Sequence, residues 1–443
     1  MEALVAALGG TAWTMLFFVL GLSVIVFVHE YGHYIVGRWS GIHAEVFSIG
    51  FGKVLWGRTD RRGTRWQIAA IPFGGYVKFL GDADASSVMP GDVSGLSAAE
   101  RRHTMTGAPL WARAATVAAG PVANFILTFV MLLSLLAVTG VPLETPSVGK
   151  LRPLPYGDQG LVEGDVITAI NGVATPDWES FASATDAVQD QTSLTYTVLR
   201  GGAEQTVIAA HPRSPVVGGV QPRSAALDAG IQAGDVILRA DGQDITRFEQ
   251  LIDVVSASEG RPVALTVWRE GTTFDVSFSP RIRMVEDPET GGFTERYLLG
   301  LYSGSTFQPG TRSVTVTELV TGTVGQMWWT TTSMFSGLAH IVSGKVGSCN
   351  VSGAIGIAET LGDSARTGTF DFLGTLAMLS LVVGIMNLFP IPVLDGGHLV
   401  FHAYEAITRR PPPEAALRVL MTIGLTLVLS VMIYALSRDL VCV

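Results

Sequence analysis

The sequence predicts a multi-span α-helical membrane protein with two small β-rich domains outside the bilayer. Three observations carry that fold class. The 443 residues are 48% hydrophobic and only 15% charged, and their mean hydropathy of +0.40 is too apolar for an ordinary water-soluble chain. Four segments are long enough to cross a hydrocarbon core. Between the second and third of them, one sequence pattern occurs twice. A net charge of −9 leaves no basic surface for nucleic acid. The two cysteines, Cys349 and Cys442, exclude a cysteine-rich metal module and a disulfide scaffold. They are unrelated thiols, or a single pair if both face an oxidising compartment.

The first span occupies 1–37, with its apolar run from Thr11 to Val36. Glu2 is the only charge ahead of it, so it lacks the basic start of a signal peptide and is read as a retained helix. From Ala3 to Val28 no charge occurs, and then His29-Glu30-Tyr31-Gly32-His33 arrives. This HExxH pattern sets two imidazoles at i and i+4 on one helix face, where both can ligate one zinc ion. Glu30 between them is placed to activate water as a general base. Ionisable groups inside a span are costly and usually functional.

A loop rich in Lys and Arg follows over 38–113, then a second span within 114–143. The duplicated pattern fills 146–213 and 214–283. Residues 284–371 read as a linker, with Met327-Trp328-Trp329 in a weakly charged stretch from Val314 to Val346. Tryptophan favours the membrane boundary, so this stretch fits an interfacial helix; its Thr, Ser and Gly argue against a fifth span. The third span covers 372–398 and the fourth 419–437. Arg409, Arg410 and Arg418 join them, so both short loops read as cytoplasmic. That leaves both termini and the repeats outside. Spans one and three then both run inward. HEYGH and Asp395, in the run from Asn387 through Leu394-Asp395-Gly396-Gly397-His398, come to the same depth.

The repeat aligns Gly160-Leu-Val-Glu-Gly-Asp-Val-Ile with Gly230-Ile-Gln-Ala-Gly-Asp-Val-Ile, each continued to a turn at Asn171-Gly172 or Asp241-Gly242. Short β-branched runs broken by such turns indicate small β domains. The pattern resembles tandem PDZ domains, which bind extended peptides by strand addition; inert spacers are the other reading.

HEYGH, Ala119-Gly120-Pro121-Val122-Ala123-Asn124 and NLFPIPVLDGGH together resemble the bacterial site-2 proteases, the zinc metalloproteases of family M50. The two PDZ-like domains resemble the branch of that family that regulates sigma-E. The resemblance spans nearly the whole chain. It implies four transmembrane helices and two tandem extracytoplasmic PDZ-like domains in a bacterial inner membrane. It also implies a zinc site of His29, His33 and Asp395 with Glu30 activating water. Asn387 matches an asparagine the family uses on substrate, and its amide could donate to a developing oxyanion or serve in helix packing. His398 is a competing ligand, left by the resemblance to packing or support. Phe47–Gly52 and Arg65–Lys78 resemble a membrane-reentrant β-loop whose edge, at Gly74, Gly75 and Tyr76, would meet substrate; an ordinary cytoplasmic hairpin is the alternative. The implied partners are the lipid bilayer and single-span membrane proteins such as an anti-sigma factor, with remnant signal peptides as further substrates. A non-catalytic scaffold built on the PDZ-like pair is the competing function, but it needs neither HExxH nor Asp395. A metal transporter would need ionisable groups spread over several spans, and they are not present.

Overall fold

The structure is a computed structural model describing residues 10–82, 95, 97–155, 160–286, 293–345 and 352–441. Cys349 and Cys442 lie outside these residues. The chain divides into two compact units, Met1–Leu135 with Thr321–Gly337 and Val351–Val443, and Leu136–Val320 with Leu338–Asn350.

The first unit is built on helix α1 (Gly10–Trp39), an antiparallel ladder of β1 (Ala44–Thr59) with β2 (Arg65–Phe79), and helix α2 (Leu110–Thr139). Helix α3 (Val316–Val342) follows the second unit. After it come α4 (Ala354–Thr367), α5 (Thr369–Asn387), α6 (Asp395–Thr408) and α7 (Glu414–Val441). Among the described helices α1, α2, α5 and α7 are long and apolar enough to cross a membrane. Helix α3 is not one of them. It exposes Val316, Val320, Val324 and Trp328 at four-residue spacing, one apolar stripe.

Helix α1 is apolar all round and packs on several neighbours at once. Trp13, Phe18 and Ile25 share a buried cluster with Leu361 of α4 and Leu376 of α5. Trp13 Nε1–H donates to the Gly362 carbonyl at 3.0 Å, so its one polar atom is satisfied inside that cluster. Asp439 near the end of α7 accepts from the Gly353, Ile355 and Gly356 N–H groups at 2.9, 3.0 and 3.0 Å. A carboxylate on those orphan donors, at the positive end of the dipole, caps α4. Nothing in the sequence marks 354–367 as a packed element, and the linker assigned to 284–371 is corrected here.

The third span is also shorter than the sequence suggests. Helix α5 stops at Asn387 and α6 begins at Asp395. Pro390 and Pro392 supply no N–H and bias their predecessors away from helical backbone, so the helix cannot run through. The loop folds under α6 so closely that a Cβ on Gly396 would overlap the Leu388 and Phe389 carbonyls. The second span starts earlier, at Leu110, and ends before Gly140, whose φ of +72° turns the chain out of the helix.

The second unit holds two lobes of one topology. Each has a four-stranded antiparallel sheet, in the order 173–174, 166–170, 193–200, 203–210 in the first lobe. The second lobe repeats it as 243–244, 236–240, 263–269, 272–278. The helices Trp178–Asp186 and Phe248–Ala257 bury Phe181 and Leu251 against these sheets. The repeated Gly-Asp has a definite task. Asp165 is held by Arg200 at 2.8 and 2.7 Å, and Asp235 by Arg269 at 2.7 and 2.7 Å. Each fork ties the start of one strand to the end of its neighbour.

The lobes do not end at 283. Arg281–Glu286 pairs with Phe293–Leu298. Leu301–Ser303 then joins Val217–Val220 of the second lobe, and Phe307–Pro309 joins Val148–Leu151 of the first. Finally Thr311–Arg312 pairs with Val141–Pro142, so entry and exit of this unit lie side by side. Leu301–Ser303, Phe307–Pro309 and Thr311–Arg312 are two or three residues long, with Gly300, Gly304 and Gly310 ahead of or between them, too short to show alternation in sequence.

Candidate metal centre

One turn of α1 carries the two histidines, and its close packing on α2 decides where they point. Gly32, inside HEYGH, lies so near α2 that a Cβ there would overlap the Ala119 carbonyl and come within 2.8 Å of the Ala123 Cβ. Gly120 answers it from α2: a Cβ there would overlap His33 Nε2 and come within 2.9 Å of His29 Cε1. Two glycines thus make the room that the imidazoles fill.

Asp395, the first residue of α6, brings the third group. Its Oδ2 lies 3.2 Å from His29 Nε2 and 3.5 Å from His33 Nε2, and the two nitrogens are 3.2 Å apart. A tetrahedral zinc with bonds of about 2.0–2.1 Å separates its ligands by about 3.3–3.4 Å. The three distances match the edges of that tetrahedron. The chemistry of the atoms agrees. His33 Nδ1 is 2.8 Å from the Thr116 carbonyl, which only accepts, so Nδ1 carries the proton and Nε2 presents a lone pair. Asp395 Oδ2 is buried and accepts no hydrogen bond. Converging lone pairs of two imidazoles and a carboxylate suit a cation, and three protein ligands leave a fourth position for water or substrate. Among the described residues this is the one cluster of three or more such groups with ligand geometry.

Glu30 stands beside the cluster, and the Val77 N–H of β2 donates to its carboxylate. Gly75 is packed so near Glu30 that a Cβ would come within 3.0 Å of its Cγ. A cavity of about 750 Å³ is lined by His29, Glu30, His33, Gly75, Tyr76, Asn387 and Asp395. Gly75, Tyr76 and Asn387 therefore face the same space as the metal cluster. Gly74 does not line it; its backbone, at φ +148°, lies against the Phe51 ring. His398 lines the cavity outside the three-ligand cluster.

Sequence reasoning passed over the far side of this cavity. There Arg113 of α2 and Glu405 of α6 form a two-pronged ion pair at 2.6 and 3.0 Å, beside His402. Burial, followed by the Arg113 charge, pushes the His402 imidazole down to about 4, so it is neutral at pH 7. The spacing Asp395, His398, His402, Glu405 is the one signal that would have grouped them, since it keeps to one face of a helix. Asn124 was also missed. It is fully buried on α2, with its amide 3.2 Å from His29 Nδ1.

The model of peptidase family M50 matches residues 17–431. The regulator of sigma-E protease RseP of Salmonella typhimurium is 35% identical over 96% of this chain and 98% of its own. Its namesake in Escherichia coli is 34% identical over the same shares. An Agrobacterium fabrum protein provisionally named a zinc metalloprotease is 34% identical over 99% of this chain and 98% of its own. A solved PDZ domain of a Listeria monocytogenes SdrC-like protein is 18% identical over 21% of this chain and 87% of its own, with a TM-score of 0.15.

Proposed function

Because this chain belongs to peptidase family M50 and is a zinc metalloendopeptidase of the membrane, we propose that it cuts single-span membrane proteins inside the bilayer. On this reading His29, His33 and Asp395 hold the zinc and Glu30 is the general base. The observation that supports it best is the meeting of those three ligand atoms, all within 4.8 Å of one another, on and beside an apolar helix.

Zinc, when bound, supplies Lewis acidity that polarises the scissile carbonyl and acidifies the attacking water. The remaining tasks fall to the chain. Glu30 takes the proton of that water and passes it to the leaving amine. Its hydrogen bond from Val77 aims the carboxylate, and its place against Gly75 keeps it from turning away. Substrate helices hide their peptide bonds in i→i−4 hydrogen bonds, so a segment must be drawn out before attack. The backbone at Gly75 and Tyr76, which line the cavity, offers strand-type donors and acceptors for that extended segment. Asn387, opening on the same cavity, donates its amide to the developing oxyanion.

The loops at 38–113 and 409–418 lie on the cytoplasmic side of a bacterial inner membrane, and the two PDZ-like lobes and both termini on the other. The substrates are of the anti-sigma-factor type, already trimmed by another protease, with remnant signal peptides as a second class. The lobes act as a filter against substrates that still carry a bulky outer portion.

The test is cleavage of a single-span reporter by purified protein, wild type against Glu30→Gln. An amide cannot take the proton, so turnover should fall at least about 100-fold with bound zinc unchanged. Turnover near the wild-type rate would remove Glu30 from the mechanism.

A further inference from the structure

Asn124 lies on α2 with no exposed surface, and its backbone carbonyl accepts from Ser380 Oγ of α5 at 3.0 Å. One helix turn from Gly120, it faces the HEYGH turn of α1. Its amide nitrogen is placed 3.2 Å from His29 Nδ1, while its amide oxygen is buried with no hydrogen-bond partner. The two ends of an amide are told apart only by the network around them. Here that network decides. His29 Nε2 is 3.2 Å from both His33 Nε2 and Asp395 Oδ2; with a zinc ion held among these three atoms, the His29 lone pair belongs on that side and the ring proton on Nδ1. An NH2 group against an N–H would set donor against donor and strand a buried carbonyl oxygen without a hydrogen bond. Turned end for end, the amide has Oδ1 accepting from Nδ1–H.

We propose that Asn124 is the positioning residue of the zinc site: its Oδ1 accepts the His29 Nδ1 proton, fixing the ring's tautomer and direction. Thr116 does the same for His33 through its backbone carbonyl. Both imidazoles are then held by α2, two turns apart, while α5 anchors the backbone of Asn124 itself. This inference rests on the zinc-site reading, and its test separates the two.

The test uses full-length protein in detergent, with zinc affinity measured by competition against a chromophoric chelator. Asn124→Leu keeps the volume and removes the acceptor; it should weaken zinc binding about 10- to 100-fold. Asn124→Asp keeps the acceptor and removes the donor; it should bind zinc at least as tightly as wild type and restore the reporter cleavage lost in the Leu variant. Melting of the zinc-free proteins reports on the fold, and Asn124→Ala replaces Leu if that variant does not fold. Wild-type affinity in the Leu or Ala variant overturns the proposal, as does an Asp variant as weak as Leu. If wild type itself binds no zinc, the site reading fails first.

Discussion

Gly120→Ala adds one methyl group, and the structure says where it goes. The new Cβ would overlap His33 Nε2 and stand 2.9 Å from His29 Cε1. The helix gains from the change, since alanine is favoured over glycine by about 0.8–1.0 kcal/mol inside a helix. Against this stands overpacking, which costs about 1–3 kcal/mol where neighbours cannot yield. The helix backbones cannot yield here: Gly32 already lies against the Ala119 carbonyl, so α1 and α2 have no slack with which to move apart locally, and only the side chains can shift. The penalty therefore falls on the imidazoles, and with them on the metal. Spent wholly on ligand displacement, it weakens zinc binding by roughly 5- to 150-fold, while the zinc-free protein melts no lower than wild type. Gly325→Ala and Gly374→Ala are the controls, because a Cβ at either meets open space. Chelator competition on purified protein reads the affinity, and reporter cleavage should fall in parallel. Wild-type zinc affinity in Gly120→Ala would show that the two helices are not packed through this glycine.

Asp395→Ala should lose stoichiometric zinc in metal analysis; a fully loaded variant would move the third ligand to His398. Excising 143–310 and joining Pro142 to Thr311 by two glycines should leave zinc and cleavage of a trimmed reporter intact, because those residues are already ladder partners. The same variant should cut an untrimmed substrate that the full protein spares; loss of trimmed-reporter cleavage with zinc still bound would make the lobes recruiters. Burial alone would raise the Asp165 carboxyl, but its hydrogen bonds from Arg200 and Val162 outweigh that and hold it below the usual range. A depressed folded value means its stabilisation is present above about pH 4 and lost as pH falls through that folded value. Arg200→Met should therefore lower amide-exchange protection of Val166–Ile170 at neutral pH, with the deficit against wild type shrinking as the solution is acidified.

The parts of this protein that were legible in sequence are those with a period or a fixed spacing. HEYGH names its own face of a helix, and the uncharged runs name the spans. The Gly-Asp repeats name the lobes. Asp395 was reachable because depth in a bilayer is a coordinate that sequence supplies. Asn124 stood in plain view beside Gly120, but its partner His29 is on another helix, and an amide in an apolar run reads equally well as packing. Leu301–Ser303 and Phe307–Pro309 were invisible because so short a strand takes its identity from the sheet it joins. Helix α4 was missed for a related reason: its buried face of Leu361, Gly362 and Ser364 is defined by the Trp13 turn of α1. The break after Asn387 was written in Pro390 and Pro392, and only hydropathy carried the third span across it.

The proposed ligands lie far apart in the sequence, so the site is completed late in synthesis. A ribosome adding about 5–20 residues per second reaches Asp395 roughly 20–70 s after His33, about 360 residues later. Throughout that interval the nascent chain displays two imidazoles and a base in its first helix, but no third donor to complete the site. On the proposed ligand set, hydrolytic activity is thus withheld from a half-made protein sitting among other newly inserted helices until the segment carrying Asp395 packs against α1.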